Sequence, residues 1–377
     1  MEKISLIGSF VADTNNNSKN NFLSSNKFKI LIPMDNITED EGSFNVNVNA
    51  NIKTQKVLFG DAPSNLQDHA VTVMASEDIS GAVEVNYKKV YGKIKIIKIS
   101  QNDNKYTNQK SGSTLEGAEF IIIDKNNKKI DKITTNEKGE AESKLLEKGE
   151  YNIKEINSPD YYLGNSQVYK AKIEKPDEII QINVKNESVE LKVDVKKHGP
   201  IEVKSEEIIE YSISNISNLS NVELDDFCLK DELPTDAIRI SKLHTGTYNQ
   251  DLKYKIKYIT NLNTSETVYK ENLNTSQKYD IDFDKNILNL RDDEYVTEII
   301  FDFGTVKSGF SEKELPSIES VVISNLPNGY NFENTAIVSG KYLYKELEEK
   351  SKVKTVIYTP KEEHEIVLPK TGKTKNV

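Results

Sequence analysis

Residues 92–100 read GKIKIIKIS, a run in which apolar residues recur at every second position. Successive side chains of a β-strand point to opposite faces, so Ile94, Ile96 and Lys98 share one face. A lysine at the end of an inward-facing isoleucine row is unusual, because moving an ammonium group out of water costs free energy. The run therefore predicts a β-strand that carries Lys98 into a hydrophobic core.

Two later segments repeat this pattern and also end in a polar side chain. In each, three alternating residues share one face: Tyr151, Ile153 and Glu155 in the first segment, and Ile182, Val184 and Asn186 in the second. Three apolar rows thus end in an amine, a carboxylic acid and a carboxamide. These are the groups needed to build an amide bond between two side chains.

Composition and charge limit the classes of protein that the sequence can encode. A length of 377 residues predicts two or three domains. The formal net charge of −10 argues against nucleic acid as a partner. Cys228 is the single cysteine, so no intramolecular disulfide is possible. No apolar run is long enough to span a bilayer.

Alternating runs separated by turn sequences such as NEKG (136–139) predict an all-β chain with little helix. We expect four segments: a partial β domain at 1–90, a β-sandwich at 91–188, a larger β-sandwich at 189–359 and a disordered tail at 360–377. The opening residues MEKISLIGSFVADT fit a secretory signal peptide poorly. We therefore expect the chain to be a fragment of a longer polypeptide.

The central segment resembles a known family through several ordered motifs. These are GKIKIIKIS, LEGAEFIIID at 115–124, the stretch from ITTNEKGE to SPDYYL at 133–163, and INVKNE at 182–187. Together they resemble the B-type repeat of collagen adhesins (Cna-B) and the SpaA-like pilin repeat. That resemblance implies a small β-sandwich of transthyretin-like topology.

The resemblance also implies roles for the three polar residues. In that family a lysine of the first strand is joined to an asparagine of the last strand, beside a glutamate. Carried over, Lys98 is the nucleophile, Asn186 supplies the carboxamide and Glu155 moves the protons. Burial lowers the pKa of a lysine, which frees a neutral amine, and a protonated glutamic acid can polarise the amide. The alternative is a solvated strand lysine like its neighbours Lys93 and Lys95.

Segment 1–90 resembles the last part of the thioester adhesin domain of Gram-positive surface proteins. In that family a cysteine and a glutamine form an internal thioester. Here no cysteine precedes Cys228, so Gln55 and Gln67 are expected to be ordinary surface residues.

Segment 189–359 resembles the Ig-like backbone domains of surface adhesins and fimbriae. The shared motifs are KHGP at 197–200, DELP at 231–234 and NTAIV at 334–338. Some members of that family form a lysine–asparagine bond assisted by aspartate. Strand parity permits the same bond here and nominates Lys197, Asp231 and Asn334. The alternative is a turn-capping aspartate and an asparagine in a β-bulge.

The tail contains Leu368, Pro369, Lys370, Thr371 and Gly372, which match the sortase recognition pattern L-P-x-T-G. An extended Leu-Pro segment suits an enzyme groove, because proline fixes the backbone in advance. The match implies cleavage after the threonine and its transfer to cell-wall peptide or to a pilin lysine. In the family an apolar membrane-spanning stretch follows the motif, whereas only KTKNV follows here.

Several other patterns were weighed against binding or catalysis. The four histidines are widely spaced, and Asp280, Asp282 and Asp284 alternate with apolar residues as an exposed strand face does. A calcium loop would require glycine at its sixth position, which is Lys285 here. We therefore predict no metal, no cofactor and no enzymatic activity in the ordinary sense.

These observations favour a wall-anchored adhesin stalk on the outer surface of a Gram-positive bacterium, stabilised by self-formed amide bonds. One alternative is a pilin subunit polymerised by sortase, and another is the stalk of a wall-anchored enzyme whose catalytic domain is missing. The expected partners are sortase, peptidoglycan and a host extracellular-matrix or cell-surface protein.

Overall fold

The computed structural model describes residues 3–11, 25–33, 39–59 and 70–359. Within these ranges every regular element is a β-strand, which confirms the all-β prediction. The same ranges contain no helix of the length and apolarity needed to cross a bilayer. The sorting motif at 368–372 lies outside the described residues, as does the rest of the tail.

The chain divides into two compact units. The first consists of the chain up to Ile99 with Thr114–Pro159 and Gly164–Val184. The second combines Ser100–Ser113 and Asp160–Leu163 with the chain from Lys185 onward.

Twelve strands begin before residue 185 in the described part of the chain. They are β1 (Lys3–Val11), β2 (Ser25–Pro33), β3 (Glu41–Phe59), β4 (Ala70–Lys88), β5 (Tyr91–Ser100), β6 (Glu119–Asp124), β7 (Lys129–Thr134), β8 (Glu140–Glu142), β9 (Leu146–Glu147), β10 (Gly149–Asn157), β11 (Val168–Ile173) and β12 (Glu178–Asn186). β1 pairs with β2, and β3 with β4, both antiparallel.

The other eight of these strands form two four-stranded sheets. One has the order β11-β10-β6-β7, and in the other β5 lies between β12 and β8 and also pairs with β9. Burial alternates residue by residue along β5, as its sequence predicted. Ile94, Phe120, Ile153 and Val184 are fully buried in the shared core, so these sheets form a sandwich.

Fourteen strands follow residue 190 in the described ranges. They are β13 (Val193–His198), β14 (Glu202–Val203), β15 (Ile208–Asn218), β16 (Leu224–Glu232), β17 (Ile238–His244), β18 (Thr247–Tyr248), β19 (Lys253–Thr260), β20 (Thr267–Asn274), β21 (Asp280–Asp282), β22 (Val296–Val306), β23 (Glu312–Glu314), β24 (Ser317–Val322), β25 (Asn331–Tyr342) and β26 (Lys345–Ile357).

These strands build the larger sandwich that the sequence predicted. A five-stranded sheet has the order β13-β15-β24-β17-β21, and a seven-stranded sheet has the order β14-β26-β25-β16-β22-β19-β20. Aromatic rings fill part of the core: Tyr248 stacks on Phe310 at 5.3 Å, and Phe303 lies 4.8 Å from Tyr248. Such ring pairs bury large apolar areas and explain why one core can hold a segment of this size.

His244 joins three neighbouring strands of the five-stranded sheet. Its Nδ1 lies 2.6 Å from Asp280 Oδ1 on β21, and its Nε2 lies 2.9 Å from Glu319 Oε1 on β24. The hydrogen bond with Glu319 is the largest cause that raises the pKa of His244 above its ordinary value of 6.5, and Asp280 adds to it. The imidazolium form therefore donates to both carboxylates.

This arrangement predicts a pH-dependent contribution to stability. A raised folded pKa stabilises the fold fully below the unfolded pKa, and the contribution is lost as pH rises through the folded pKa. Wild type should therefore exceed His244→Gln in melting temperature at about pH 6, and the difference should shrink towards about pH 9. Thermal melts across this range measure it. Glu319→Gln should weaken the same pH dependence, and a constant difference would contradict the assignment.

Candidate functional site

Lys98 lies in the core of the first unit. It is 0% exposed, and its Nζ lies 2.9 Å from Glu155 Oε1 and 5.5 Å from the centre of the Phe120 ring. Burial lowers the pKa of Lys98, and the hydrogen bond with Glu155 opposes this shift. The strand alternation of β5 thus delivers an amine into an apolar interior, as the sequence predicted.

Glu155 reaches this amine from β10. Its side chain is almost fully buried, and its Oε2 accepts a hydrogen bond of 2.8 Å from the backbone amide of Asn165. The register of β10 against β6 shifts between Glu155 and Asn157, a local irregularity that re-aims side chains at a strand end. One carboxyl oxygen is therefore anchored to the backbone while the other faces the lysine.

Asn186 is the last residue of β12, the strand that is hydrogen-bonded to β5 in the same sheet. It is buried, and its backbone carbonyl accepts a hydrogen bond of 2.8 Å from the amide of Gln101. The structure thus pairs Lys98 with Glu155 and buries Asn186 at the end of the neighbouring strand.

The second predicted set lies within the second unit. Lys197 on β13 and Asp231 on β16 form an ion pair whose two side chains are almost completely buried. Burial lowers the pKa of Lys197 well below its ordinary value. The neighbouring Lys196 is exposed, so the parity that nominated Lys197 is observed. Asp231 Oδ1 has no hydrogen-bond partner among the described residues.

Asn334 lies on β25, next to the strand of the aspartate. Asp231 pairs with Ala336 across the β16–β25 ladder, and Asn334 is two residues from Ala336 on the same face. Asn334 is 0% exposed, and neither its Oδ1 nor its Nδ2 has a hydrogen-bond partner in the described ranges. An unsatisfied buried polar group costs about 1–3 kcal/mol, so this amide requires an explanation.

Two aromatic residues at these sites were missed by sequence reasoning. Phe120 faces the amine of Lys98, and the Tyr211 ring centre lies 5.3 Å from Lys197 Nζ. Alternation along β15 places Tyr211 on an inward face, which is a usable signal. The strand that faces it cannot be read from one sequence, so its contact with Lys197 was not predictable.

The structure bears on the other predicted features only in part. Ile281 and Phe283 are buried and alternate with Asp280, Asp282 and Asp284, as expected of a strand face. Across the described ranges no three histidine, cysteine, aspartate or glutamate side chains form a group suited to a metal ion.

A prealbumin-like β-sandwich with a buried amine and acid defines the class of the first domain. Residues 92–188 match the family model of the SpaA prealbumin-like fold domain. This match confirms the resemblance drawn from the sequence motifs. The family assignment applies to this domain.

Similar proteins are surface proteins and pilins. A stretch of 60 residues is 42% identical to the trypsin-resistant surface T6 protein of Streptococcus pyogenes serotype M6, and it covers 16% of this chain and 11% of that protein. The chain therefore matches about a tenth of the length of this curated relative.

Solved structures with detectable similarity include two major pilins. BcpA of Bacillus cereus is 17% identical, with 71% of this chain and 69% of that chain covered at a TM-score of 0.25. SpaD of Corynebacterium diphtheriae is 16% identical, with 71% and 65% covered at a TM-score of 0.23. TM-scores of this size do not establish a shared arrangement of domains.

The buried ion pair of the second unit predicts an asymmetric response to mutation. Lys197→Met leaves Asp231 buried and unpaired, which should lower the free energy of unfolding by about 3–5 kcal/mol. The double variant Lys197→Met/Asp231→Leu should be more stable than the single variant, because no charge remains in the core. Urea denaturation of both measures this.

Lys196→Met is the matched control, because that side chain is exposed on the adjacent position. It should change the unfolding free energy by no more than about 0.5 kcal/mol. Equal stability of Lys196→Met and Lys197→Met would show that the amine of Lys197 is not held in the core.

Proposed function

We propose that this chain is a load-bearing structural subunit of a Gram-positive surface fibre, of the pilin type, whose sandwiches are locked by lysine–asparagine isopeptide bonds. The observation that carries the proposal is the buried, unsatisfied amide of Asn334, on the strand beside Asp231 in the core that contains Lys197. A covalent bond to the lysine would remove the penalty of that amide.

The chemistry at the second site needs only the three side chains. Asp231 takes a proton from the lysine ammonium, and burial favours the resulting neutral pair. The amine of Lys197 attacks the side-chain carbonyl carbon of Asn334, forming the C–N bond. Protonated Asp231 polarises the carbonyl oxygen and relays protons to the departing nitrogen. The original C–N bond breaks, and ammonia leaves.

The first site supports the same reaction with a glutamate. Lys98 is the nucleophile, Asn186 supplies the carboxamide, and Glu155 moves the protons from the oxygen that faces the amine. Its other oxygen is fixed by the amide of Asn165, which leaves the acid a single orientation. The neighbouring strands β5 and β12 would then be joined covalently.

Each bond would act mainly on the unfolded chain and on tension along it. A link between residues 98 and 186 closes a loop of about ninety residues, worth about 4–5 kcal/mol by the chain-entropy estimate used for disulfides. It also ties the first strand of the domain to the last. Force along the chain then passes through the link rather than through the hydrogen bonds of the sheet.

The pilin alternative is better supported than the adhesin stalk that the sequence first favoured. The similar proteins named above are pilin subunits and a surface protein. We propose sortase as the assembly enzyme, acting at Leu368–Gly372, with peptidoglycan as the final acceptor on the cell surface. A host protein ligand is part of the adhesin alternative, and the stalk of a wall-anchored enzyme remains the third.

Intact mass tests the two bonds. The purified full chain should weigh less than its sequence by one ammonia for each bond. Lys98→Met and Lys197→Met should each restore one ammonia, because each removes one nucleophile. The neighbouring variants Lys95→Met and Lys196→Met are the matched controls and should keep both deficits. A wild-type mass equal to the sequence mass would overturn the proposal.

A sortase reaction separates the pilin from the wall-anchored stalk. The full chain incubated with a pilus-class sortase should form a ladder of covalent oligomers on a denaturing gel, because a pilin supplies both the sorting motif and an acceptor lysine. Thr371→Ala should abolish the ladder, since it removes the acyl donor. Transfer to an added glycine peptide without any ladder would instead identify a stalk that is anchored singly.

A further inference from the structure

Gly199 lies two residues after Lys197, within the KHGP motif, where the structure leaves no room for a side chain. A Cβ placed on Gly199 would lie 2.2 Å from Cδ1 and 2.5 Å from Cε1 of Tyr211. Real Cβ atoms do not approach other heavy atoms this closely. The glycine is therefore required by the ring that packs on it.

Tyr211 is held in this position from two sides. His198 pairs with Ser212 across the β13–β15 ladder, so Gly199 follows opposite Tyr211, and the ring covers it. The Tyr211 hydroxyl lies 2.9 Å from Thr355 Oγ1, which donates a hydrogen bond of 2.8 Å to the carbonyl of Pro200. The ring is fully buried.

The same ring forms one wall around the amine of Lys197, at 5.3 Å from ring centre to Nζ. The other groups around Lys197 come from three strands: the Asp231 carboxyl from β16, the Asn334 amide from β25 and the Ser351 hydroxyl from β26, which accepts from the Lys197 backbone amide. Asp231 and the Tyr211 phenol are the ionisable side chains among them.

We propose that Gly199 is a positioning residue for the cross-link, because its missing side chain seats the Tyr211 ring against Lys197 and keeps water from the amine before it reacts. This inference rests on the proposed function. It assigns a reason to the glycine of the KHGP motif: the motif supplies both the nucleophile and the seat of the ring that dehydrates it.

A side chain at position 199 displaces the ring and admits water. Burial is what lowers the pKa of Lys197, so hydration raises that pKa towards its ordinary value and reduces the fraction of neutral amine. A rise of one pKa unit reduces that fraction about tenfold at pH values below the pKa. Bond formation should slow by about this factor, and the rising limb of its pH profile should move to higher pH.

The test follows bond formation in newly made protein. The full chain is synthesised in a cell-free system at several pH values and quenched at intervals, and the linked Lys197–Asn334 peptide is quantified by mass spectrometry. Gly199→Ala should slow this link about tenfold near neutral pH and shift its pH profile upwards. The Lys98–Asn186 link in the same molecules reports folding of the other site and should keep its rate.

Three variants make the result specific. Gly164→Ala is the control, because a Cβ there meets no atom within 4 Å, and it should behave as wild type. Tyr211→Phe retains the ring and should retain the pH profile. Tyr211→Leu removes the wall without overfilling the site, so it should show the upward shift even where Gly199→Ala fails to fold.

The outcomes separate this inference from the proposed function. A wild-type chain without the Lys197–Asn334 link overturns the function at this site. A wild-type chain that forms the link, with Gly199→Ala and Tyr211→Leu forming it at the same rate, overturns the inference alone. A slower reaction with an unshifted pH profile also overturns it, because that result indicates a structural role only.

Discussion

The constraint on which the rest of the structure depends is the burial of a lysine amine beside a carboxyl group, once in each unit. Removing two charges from water costs several kcal/mol per ion, and mutual attraction rarely returns more than that. Neither the Lys98–Glu155 pair nor the Lys197–Asp231 pair is therefore a good stabilising device by itself. Conversion of the amine into an amide nitrogen removes the charge that must be buried, and the cross-link then restrains the unfolded chain.

The two sites reach this state by different means. Glu155 is anchored by a backbone amide, and its hydrogen bond opposes the burial that lowers the pKa of Lys98. Asp231 has one oxygen without a partner among the described residues, and burial is the cause given by the structure for the pKa of Lys197. The unlinked second site is thus the less satisfied of the two, and bond formation relieves more there.

Strand parity was enough to predict which polar residues enter the cores. An alternating pattern fixes the face of every residue once a single face is known, so the burial of Lys98, Asn186, Lys197 and Asn334 followed from the sequence. The aromatic walls did not follow, because the contact of Tyr211 depends on which strands face each other. The register that opposes one strand to another is set by the whole fold and has no local signature.

The topology explains why the links would matter to a protein under load. β13 is the edge strand of its sheet and is hydrogen-bonded in that sheet to β15 alone. Tension applied to an edge strand can break its hydrogen bonds one after another. A bond from Lys197 to Asn334 would attach β13 to β25, which lies inside the opposite sheet between β26 and β16. The strand could then leave only if an interior strand of the second sheet left with it, which requires breaking two ladders and opening the core.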